Sequence, residues 1–269
     1  MHKVAVTLQP GTSAPGLEPV EWSRFDGVDV YARHFSECRG GDFFDGLAIG
    51  PRVLFLLTDI AGPRPEVKEL TLRVQDTFRQ KAQEFFAGSA VNESDAMAAL
   101  AHEVNLALSE DAQRVRLAPT FLGCFNAALG ILTYCNAGSL LALLREGTDV
   151  RVLESGGMPL GLFTHTTFEA VVLALQEGDA LLTVTKGVTE SRRGSTEFGI
   201  ERVEQLLKKA TAHSAAEICD LVLREAYDHA NHPWSRILGL LRAGQRRQDD
   251  LTALALVRRP SSSPPLRSK

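Results

Sequence analysis

Three short motifs, far apart in the chain, each place aspartate beside an apolar stretch. Residues 40–45 read GGDFFD, residues 58–62 read TDIAG, and residues 248–252 read QDDLT. Strands that end at a common point would bring Asp42, Asp59 and Asp249 together. Carboxylate, carbonyl and water oxygens are the ligands that Mg²⁺ and Mn²⁺ prefer. The pattern therefore predicts a site for hard cations, and a pair of such ions suits the hydrolysis of a phosphate ester.

The individual aspartates differ in how strongly they point to a metal ion. Asp59 has the best case, because it ends an apolar strand where a carboxylate without a cation or hydrogen bonds is costly to bury. Asp42 follows two glycines, so by itself it is more typical of a turn. Asp249 and Asp250 are consecutive and would face opposite sides of a strand. We expect Asp249 to be the ligand and Asp250 to hydrogen-bond locally, and the reverse assignment stays open.

The apolar periodicity predicts the elements that must position these carboxylates. It indicates strands at 28–35 and 52–60, the second buried on both faces, and helices at 65–86 and 94–108, with Ser94 as the N-cap of the second helix. Short glycine-punctuated segments predict strands at 120–129, 131–136, 140–144, 150–153, 167–175 and 180–185. Helices at 200–210 and 214–230, the latter opened by a capping box at Ser214, precede a last strand at 251–257. This order predicts an α+β fold of antiparallel sheets covered by helices.

Composition narrows the class of protein. The 269 residues carry a net charge of −4, which gives no electrostatic reason to expect nucleic acid as a partner. No run of eighteen apolar residues predicts a transmembrane segment, and the N-terminus lacks a secretory signal, so we expect a cytoplasmic protein. The four cysteines form no Cys-x-x-Cys pair and are expected to be buried thiols. We predict a single domain over residues 1–258 and a disordered tail over residues 259–269.

Further motifs lie between the second and third acidic motifs. Residues 136–138 read NAG, residues 156–161 read GGMPLG, residues 187–190 read GVTE, and residues 198–199 read FG. In this order, the motifs resemble those of the metal-dependent protein phosphatase (PPM) superfamily, in its bacterial stage II sporulation E branch. The resemblance runs over residues 28–257.

The resemblance implies a fold and a ligand set. The fold would be two packed antiparallel β-sheets flanked by helices, an α-β-β-α sandwich. The ions would be Mn²⁺ or Mg²⁺, one or two in number, with Asp42, Asp59 and Asp249 as ligands and catalytic residues. The backbone carbonyl of Ile60 would be a further ligand, and Asp250 remains a candidate.

One position departs from the family pattern. Where the family reads Asp-Gly-Val-Thr-Glu, with that aspartate a metal ligand, residues 186–190 read KGVTE. Asp42, Asp59 and Asp249 contribute −3, and Lys186 brings the total to −2, where four carboxylates would give −4. The site therefore balances one divalent ion rather than two. Three outcomes are open for the ammonium: it replaces one ion, it contacts the phosphate, or it turns to solvent.

Two functions follow from the resemblance. The first is a metal-dependent protein serine/threonine phosphatase that acts on a phosphorylated protein, for which relatives suggest an anti-sigma factor antagonist in bacterial partner switching. The second is a pseudophosphatase that binds a phosphoprotein without turnover, because Lys186 replaces a ligand. The sequence does not indicate the oligomeric state.

Two basic features are weaker candidates for binding. Arg39 and Arg64 lie beside the proposed ligands and could contact a phosphate, although exposed arginines are more often simply solvated. Residues 233–248 combine apolar and basic residues and no acidic one. They could meet an acidic partner or a membrane surface, but a helix lying on its own domain is the more common result of such a pattern.

Overall fold

The computed structural model of the protein describes residues 27–35, 41–62, 64–109, 117–210, 214–231 and 250–260. The strands are β1 (Val28–Phe35), β2 (Asp42–Ile49), β3 (Arg52–Asp59), β4 (Thr120–Asn126), β5 (Ile131–Ala137), β6 (Leu141–Glu146), β7 (Asp149–Val152), β8 (Val171–Ala174), β9 (Ala180–Val184), β10 (Arg192–Arg193), β11 (Thr196–Glu197) and β12 (Leu251–Arg258). The helices are α1 (Arg64–Phe86), α2 (Glu93–Ser109), α3 (Lys186–Thr189), α4 (Ile200–Lys209) and α5 (Ala215–Ala230).

Ten of these strands form two antiparallel sheets of five. One sheet has the order β1-β12-β9-β6-β7, the other has the order β2-β3-β4-β5-β8, and β10 and β11 form a separate hairpin. Three apolar cores alternate with the two sheets. One lies between the sheets, one lies between β2-β3-β4-β5 and helices α1 and α2, and one lies between β12-β9-β6 and helices α4 and α5. The predicted α-β-β-α sandwich is therefore confirmed.

Strand β3 is almost continuously apolar because both of its faces are buried. Its side chains alternate between faces, so Leu54 and Leu56 pack in the core under α1 and α2, while Phe55 and Leu57 pack between the sheets. All four are fully buried. The prediction of a strand buried on both faces is confirmed, and the strand ends at Asp59 with its carboxylate at the edge of the core.

The chain differs from the predicted elements at several places. Residues 42–49, where a turn was the alternative for Asp42, form strand β2, and the short helix α3 and the β10-β11 hairpin were not predicted. Ser94 is not the N-cap of α2, because the Asn92 side chain accepts hydrogen bonds from the backbone N of Ser94 and of Asp95 at 3.2 and 3.4 Å. The Ser214 cap is confirmed, since its hydroxyl accepts from Glu217 N at 3.2 Å.

The segments outside the described residues carry several of the predictions. They include Arg39, Asp249, the basic stretch 233–248 and tail residues 261–269. The three cysteines in the described part, Cys124, Cys135 and Cys219, are buried free thiols. Within that part, none of the helices has the length and apolar character needed to cross a membrane.

Candidate metal centre

Asp42 and Asp59 face each other at one end of the second sheet. Asp42 is the first residue of β2 and Asp59 the last of β3, and the antiparallel register places them directly opposite. Like charges at such a position destabilise a strand pair unless something offsets them. Burial, followed by the charge of Asp59, raises the pKa of Asp42 well above its usual value, and only 8% of the residue is exposed. The pair therefore concentrates acidic oxygens at the end of the sandwich.

Gly41 brings the backbone close to the same point. Ile60 N donates to Gly41 O at 2.8 Å. A Cβ at position 41 would lie 2.6 Å from Ile60 O and 3.3 Å from Asp59 Oδ1, so a side chain there would displace these oxygens. The Ile60 carbonyl and the Asp59 carboxylate are thus neighbours, and the glycine is required for their close approach.

Asp250 approaches from the first sheet. It directly precedes β12 and is 5% exposed, and both its carboxylate oxygens are buried with no hydrogen-bond partner in the described residues. Thr252, two residues further along the chain, donates a hydrogen bond to Asp42, so Asp250 lies at the same end of the sandwich, and its charge contributes to the raised pKa of Asp42. The local hydrogen bond that the sequence suggested for Asp250 is therefore not found in the described part of the chain. Asp249 lies outside that part.

Two threonines that sequence reasoning missed hold Asp42 in place. Thr185 Oγ1 donates to Asp42 Oδ2 at 2.7 Å, and Thr252 Oγ1 donates to the same oxygen at 2.5 Å. Thr252 belongs to β12 of the first sheet and Thr185 directly follows β9 of the same sheet, so these bonds link the two sheets across the end of the sandwich. A signal was present in the sequence, because Thr252 belongs to the third acidic motif and Thr185 directly precedes Lys186.

Lys186 begins α3 immediately after Thr185. Its side chain is exposed, and no hydrogen bond or ion pair joins its ammonium to the described residues. This exposure favours contact with a phosphate group or with solvent over replacement of an ion between the carboxylates.

The residues present can be compared with what a divalent ion needs. No three His, Cys, Asp or Glu side chains among the described residues are grouped closely enough to hold a metal ion together. The donors at hand are the carboxylates of Asp42, Asp59 and Asp250 and the Ile60 carbonyl. Mg²⁺ commonly binds through one or two carboxylates and keeps several waters. Asp250 is a buried carboxylate without a hydrogen-bond partner among the described residues, and the pKa of Asp42 is raised. Both features indicate that the site lacks positive charge, so these residues fit a divalent cation.

Two polar residues near the motifs have structural roles. Asp45, at 0% exposure, accepts from Arg79 Nε at 2.8 Å and from Arg79 Nη2 at 2.9 Å, which ties β2 to α1. Asn105 on α2 holds the GGMPLG loop, because its Oδ1 accepts from Gly161 N at 2.8 Å and its Nδ2 donates to Phe163 O at 3.0 Å. Neither role was evident from sequence.

The remaining motif residues shape the loops around the site. Gly138 has φ +83°, and a Cβ there would lie 2.5 Å from Pro159 Cβ, so the NAG motif packs directly against the GGMPLG loop. Ser139 has a left-handed backbone at φ 67°, and its hydroxyl lies 2.9 Å from that of Ser155. Arg64 begins α1, but its side chain is outside the described part of the structure.

The fold and the acidic cluster define a class of protein. The PP2C phosphatase domain of SpoIIE from Bacillus subtilis, solved with a fragment of its regulatory domain, superposes with a TM-score of 0.69 over 88% of this chain and 63% of that chain, at 17% identity. The RsbU and RsbW domains of Rv1364c from Mycobacterium tuberculosis give a TM-score of 0.63 over 90% of this chain and 64% of that chain, at 26% identity. The fold is that of PP2C-type phosphatase domains.

The sequence then assigns the family. The family model for Stage II sporulation protein E (SpoIIE) matches residues 50–259, so the chain belongs to this family of PP2C-type serine/threonine phosphatases. Protein IcfG of Synechocystis sp. is 29% identical over 153 residues, which are 56% of this chain and 22% of IcfG. The chain thus spans about a fifth of that relative, and less than two thirds of either solved structure.

Proposed function

We propose that the protein is a divalent-cation-dependent phosphatase that hydrolyses phosphoserine or phosphothreonine on a protein partner. The observation that carries this proposal is the carboxylate of Asp250, buried without a hydrogen-bond donor among the described residues and close to Asp42. Desolvating a carboxylate in this way is costly unless a cation accompanies it. A bound Mg²⁺ or Mn²⁺ would supply that charge, activate a water molecule and neutralise phosphate oxygens.

The residues of the chain have distinct tasks in this proposal. Asp42 and Asp59, opposite each other on β2 and β3, and Asp249 would be the carboxylate ligands, with the Ile60 carbonyl beside Asp59. Asp250 is a further carboxylate at the same end of the sandwich. Thr185 and Thr252 orient Asp42 by donating to its Oδ2. Since these donors are neutral, they hold the carboxylate without cancelling the charge that attracts a cation.

The charge at the site favours one strongly held ion over two. Lys186 stands where the family has an acidic ligand, and its exposed ammonium follows directly on Thr185. A second divalent ion near this position would lose a ligand and gain a repelling charge. An exposed ammonium at the rim can instead attract the phosphate of a substrate. We propose that Lys186 contacts the phosphate group.

The partner is proposed from relatives alone. Rv1364c joins an RsbU domain to an RsbW domain, and SpoIIE of Bacillus subtilis is described as a cell fate determinant. A phosphorylated regulatory protein, such as an anti-sigma factor antagonist, is therefore the substrate class that we propose. The cytoplasm remains the predicted compartment.

A second function is favoured by the same lysine. If the loss of one acidic ligand abolishes turnover, the protein is a pseudophosphatase that binds a phosphoprotein through the remaining cation site and Lys186. The two functions make opposite predictions for Lys186→Asp, which restores the acidic residue of the family pattern. Lys208→Asp on α4 gives the same change in charge at another exposed position and is the matched control.

The test is phosphate release from a phosphoserine peptide and from p-nitrophenyl phosphate, with and without Mn²⁺. An enzyme will show Mn²⁺-dependent turnover that Asp59→Asn abolishes and Lys208→Asp retains. A pseudophosphatase will be silent and will gain turnover in Lys186→Asp. Silence of the unaltered protein and of Lys186→Asp, with both folded and supplied with Mn²⁺, would contradict a metal-dependent phosphatase site.

A further inference from the structure

A row of three polar side chains crosses the first sheet next to the acidic cluster. His34 on β1 is paired directly with Thr252 on β12. On the other side of Thr252, the backbone N of Thr185 donates to Thr252 O at 3.0 Å, so Thr185 continues the row at the end of β9. Directly opposed residues on neighbouring strands share a face of the sheet. The row therefore faces the end of the sandwich where Asp42 lies.

Hydrogen bonds connect the row to Asp42. His34 Nδ1 lies 2.8 Å from Thr252 Oγ1, and Thr252 Oγ1 donates to Asp42 Oδ2 at 2.5 Å. Thr185 Oγ1 donates to the same Oδ2 at 2.7 Å and accepts from Thr252 N at 3.2 Å. Two threonine hydroxyls thus converge on one carboxylate oxygen, and neither occupies Oδ1.

The direction of these bonds assigns the role of His34. A threonine hydroxyl has one proton, and Thr252 gives that proton to the Asp42 carboxylate. His34 Nδ1 must then be the donor to Thr252 Oγ1, which requires the tautomer that carries hydrogen on Nδ1. A hydroxyl that accepts one hydrogen bond becomes a better donor of the next, because bonds in a chain polarise one another. His34 therefore acts on Asp42 through Thr252.

The row is enclosed where it meets the carboxylate. Thr185 and Thr252 are both 0% exposed, and His34 is half-buried on β1. Water cannot readily replace the threonine hydroxyls as donors to Asp42, so their orientation depends on the protein itself. Strand β1 carries none of the acidic motifs, yet it supplies the outermost member of the row.

We propose that His34 is a positioning residue of the cation site: through Thr252, it fixes the Asp42 carboxylate with Oδ2 bound by hydroxyls and Oδ1 left to bind the ion. The inference rests on the proposed function, because it assumes that Asp42 is a ligand. Residues that orient metal ligands in this way commonly change metal affinity by 10- to 100-fold when they are replaced.

The experiment measures Mn²⁺ binding to the full chain by isothermal titration calorimetry, which does not depend on turnover. Thr252→Val removes the hydroxyl and keeps the shape, and His34→Phe removes the donor and keeps a ring. We expect each to weaken Mn²⁺ binding by about 10- to 100-fold. Thr252→Ser and His34→Asn, which keep a hydroxyl and a nitrogen donor near Nδ1, should retain most of the affinity.

Thr183→Val is the matched control for a merely structural effect. Thr183 lies on β9, is 0% exposed, and its hydroxyl has no hydrogen-bond partner among the residues that the structure describes. Its replacement should leave Mn²⁺ affinity unchanged. Unchanged affinity in Thr252→Val or His34→Phe, or an equal loss in Thr183→Val, would overturn the proposal.

A metal-free measurement separates this inference from the proposed function. Thermal unfolding in EDTA is compared for the unaltered protein, His34→Phe, Thr252→Val and the double variant. If the residues act through one chain of hydrogen bonds, the double variant will lose little more thermal stability than the worse single variant. If the unaltered protein binds no Mn²⁺, the proposed function fails. The hydrogen-bonded row is then tested by the thermal unfolding of the two single variants and the double variant. Additive losses of stability in the double variant would overturn the row.

Discussion

At the scale of the residue, the candidate centre is an arrangement of acidic oxygens with neutral hydrogen-bond donors. Thr185 and Thr252 orient Asp42 without cancelling its charge, whereas Asp45, on the same strand, is bound by the Arg79 guanidinium. A carboxylate bound to arginine has little left to attract a cation, and one held by hydroxyls keeps its charge. The difference separates the candidate ligand from the structural aspartate three residues away.

Asp250 provides the prediction at this scale. Asp250→Asn keeps the shape but removes a buried charge that has no hydrogen-bond partner in the described residues. Because a buried charge without a partner costs more than a buried neutral amide, we expect the metal-free variant to be more stable than the unaltered protein by up to about 1 to 3 kcal/mol. The same variant should be stabilised less by Mn²⁺. Urea unfolding in EDTA and in Mn²⁺ measures both effects.

Asp179→Asn is the control for Asp250→Asn. Asp179 is also 5% exposed, but its carboxylate accepts from Gln176 N at 2.6 Å. Its replacement should lower or preserve the metal-free stability and leave the response to Mn²⁺ intact. An Asp250→Asn protein that is less stable than the unaltered one without metal would show that its carboxylate is satisfied by the protein.

At the scale of the element, the ends of strands and the helices behind them bring the motifs together. Strand β2 begins at Asp42, β3 ends at Asp59, and β12 begins directly after Asp250. Helix α2 contributes through Asn105, which holds Gly161 of the GGMPLG loop and Phe163 just after that loop. On the opposite face of the sandwich, His229 of α5 links α4 to the β10-β11 hairpin through Arg202 and Thr196.

The His229 contacts predict a dependence of stability on pH. Arg202 Nη1 lies 2.9 Å from His229 Nδ1, and His229 Nε2 lies 3.2 Å from Thr196 O, so the ring is neutral with hydrogen on Nε2. Burial lowers the pKa of His229 below its usual 6.5. The hydrogen bond to the Thr196 carbonyl raises this pKa in part, and the charge of Arg202 lowers it further. The unfolded chain then binds the proton more readily than the folded protein. The stability that His229 contributes is therefore present above about pH 6.5 and is lost as pH falls below that value.

The measurement is the melting temperature between pH 7.5 and 5.0 for the unaltered protein and for His229→Gln. We expect a smaller decrease on acidification in the variant, because its amide can still donate to Thr196 O but takes up no proton. Part of the slope will remain, since burial also lowers the pKa of His34. Identical slopes in the two proteins would contradict the neutral, arginine-bound state of His229.

At the scale of the whole molecule, the candidate centre lies where the two sheets meet. Sheet β1-β12-β9-β6-β7 supplies the threonines and sheet β2-β3-β4-β5-β8 supplies Asp42 and Asp59, so an ion bound there would join both halves of the sandwich. A ligand that binds only the folded protein stabilises it by about 2.7 kcal/mol at a concentration 100 times its dissociation constant. For a protein of this size, each kcal/mol raises the melting temperature by about 2 to 4 °C.

We therefore expect saturating Mn²⁺ to raise the melting temperature of the unaltered protein by about 5 to 10 °C relative to EDTA. Asp59→Asn should reduce this shift in melting temperature. Lys186→Asp should increase it, because an acidic side chain replaces the lysine ammonium. Differential scanning calorimetry measures all three. A shift of the same size in Asp59→Asn would place the ion elsewhere on the protein.

The sequence by itself determined most of the elements, and the resemblance of its motifs implied the family and the α-β-β-α architecture. Local patterns are sufficient for the elements, because each one carries its own periodicity and its own burial. The fully buried β3 and the capped α5 agree with prediction for this reason. Prediction was weakest where short segments depend on distant partners: β2 is a strand because β3 pairs with it, and α3 is a single turn between β9 and the β10-β11 hairpin.

Only the tertiary structure decided which side chains act on the acidic motifs. His34, Thr185 and Thr252 lie more than sixty residues from one another, and they form one row because β1, β12 and β9 are neighbours in a sheet. The sequence likewise marked Lys186 as a departure from the family, but its exposure and its lack of an ion pair with the described carboxylates follow from the start of α3. Chemistry that arises from strand order has no local signal, because the order of strands in a sheet is set by packing of the whole chain.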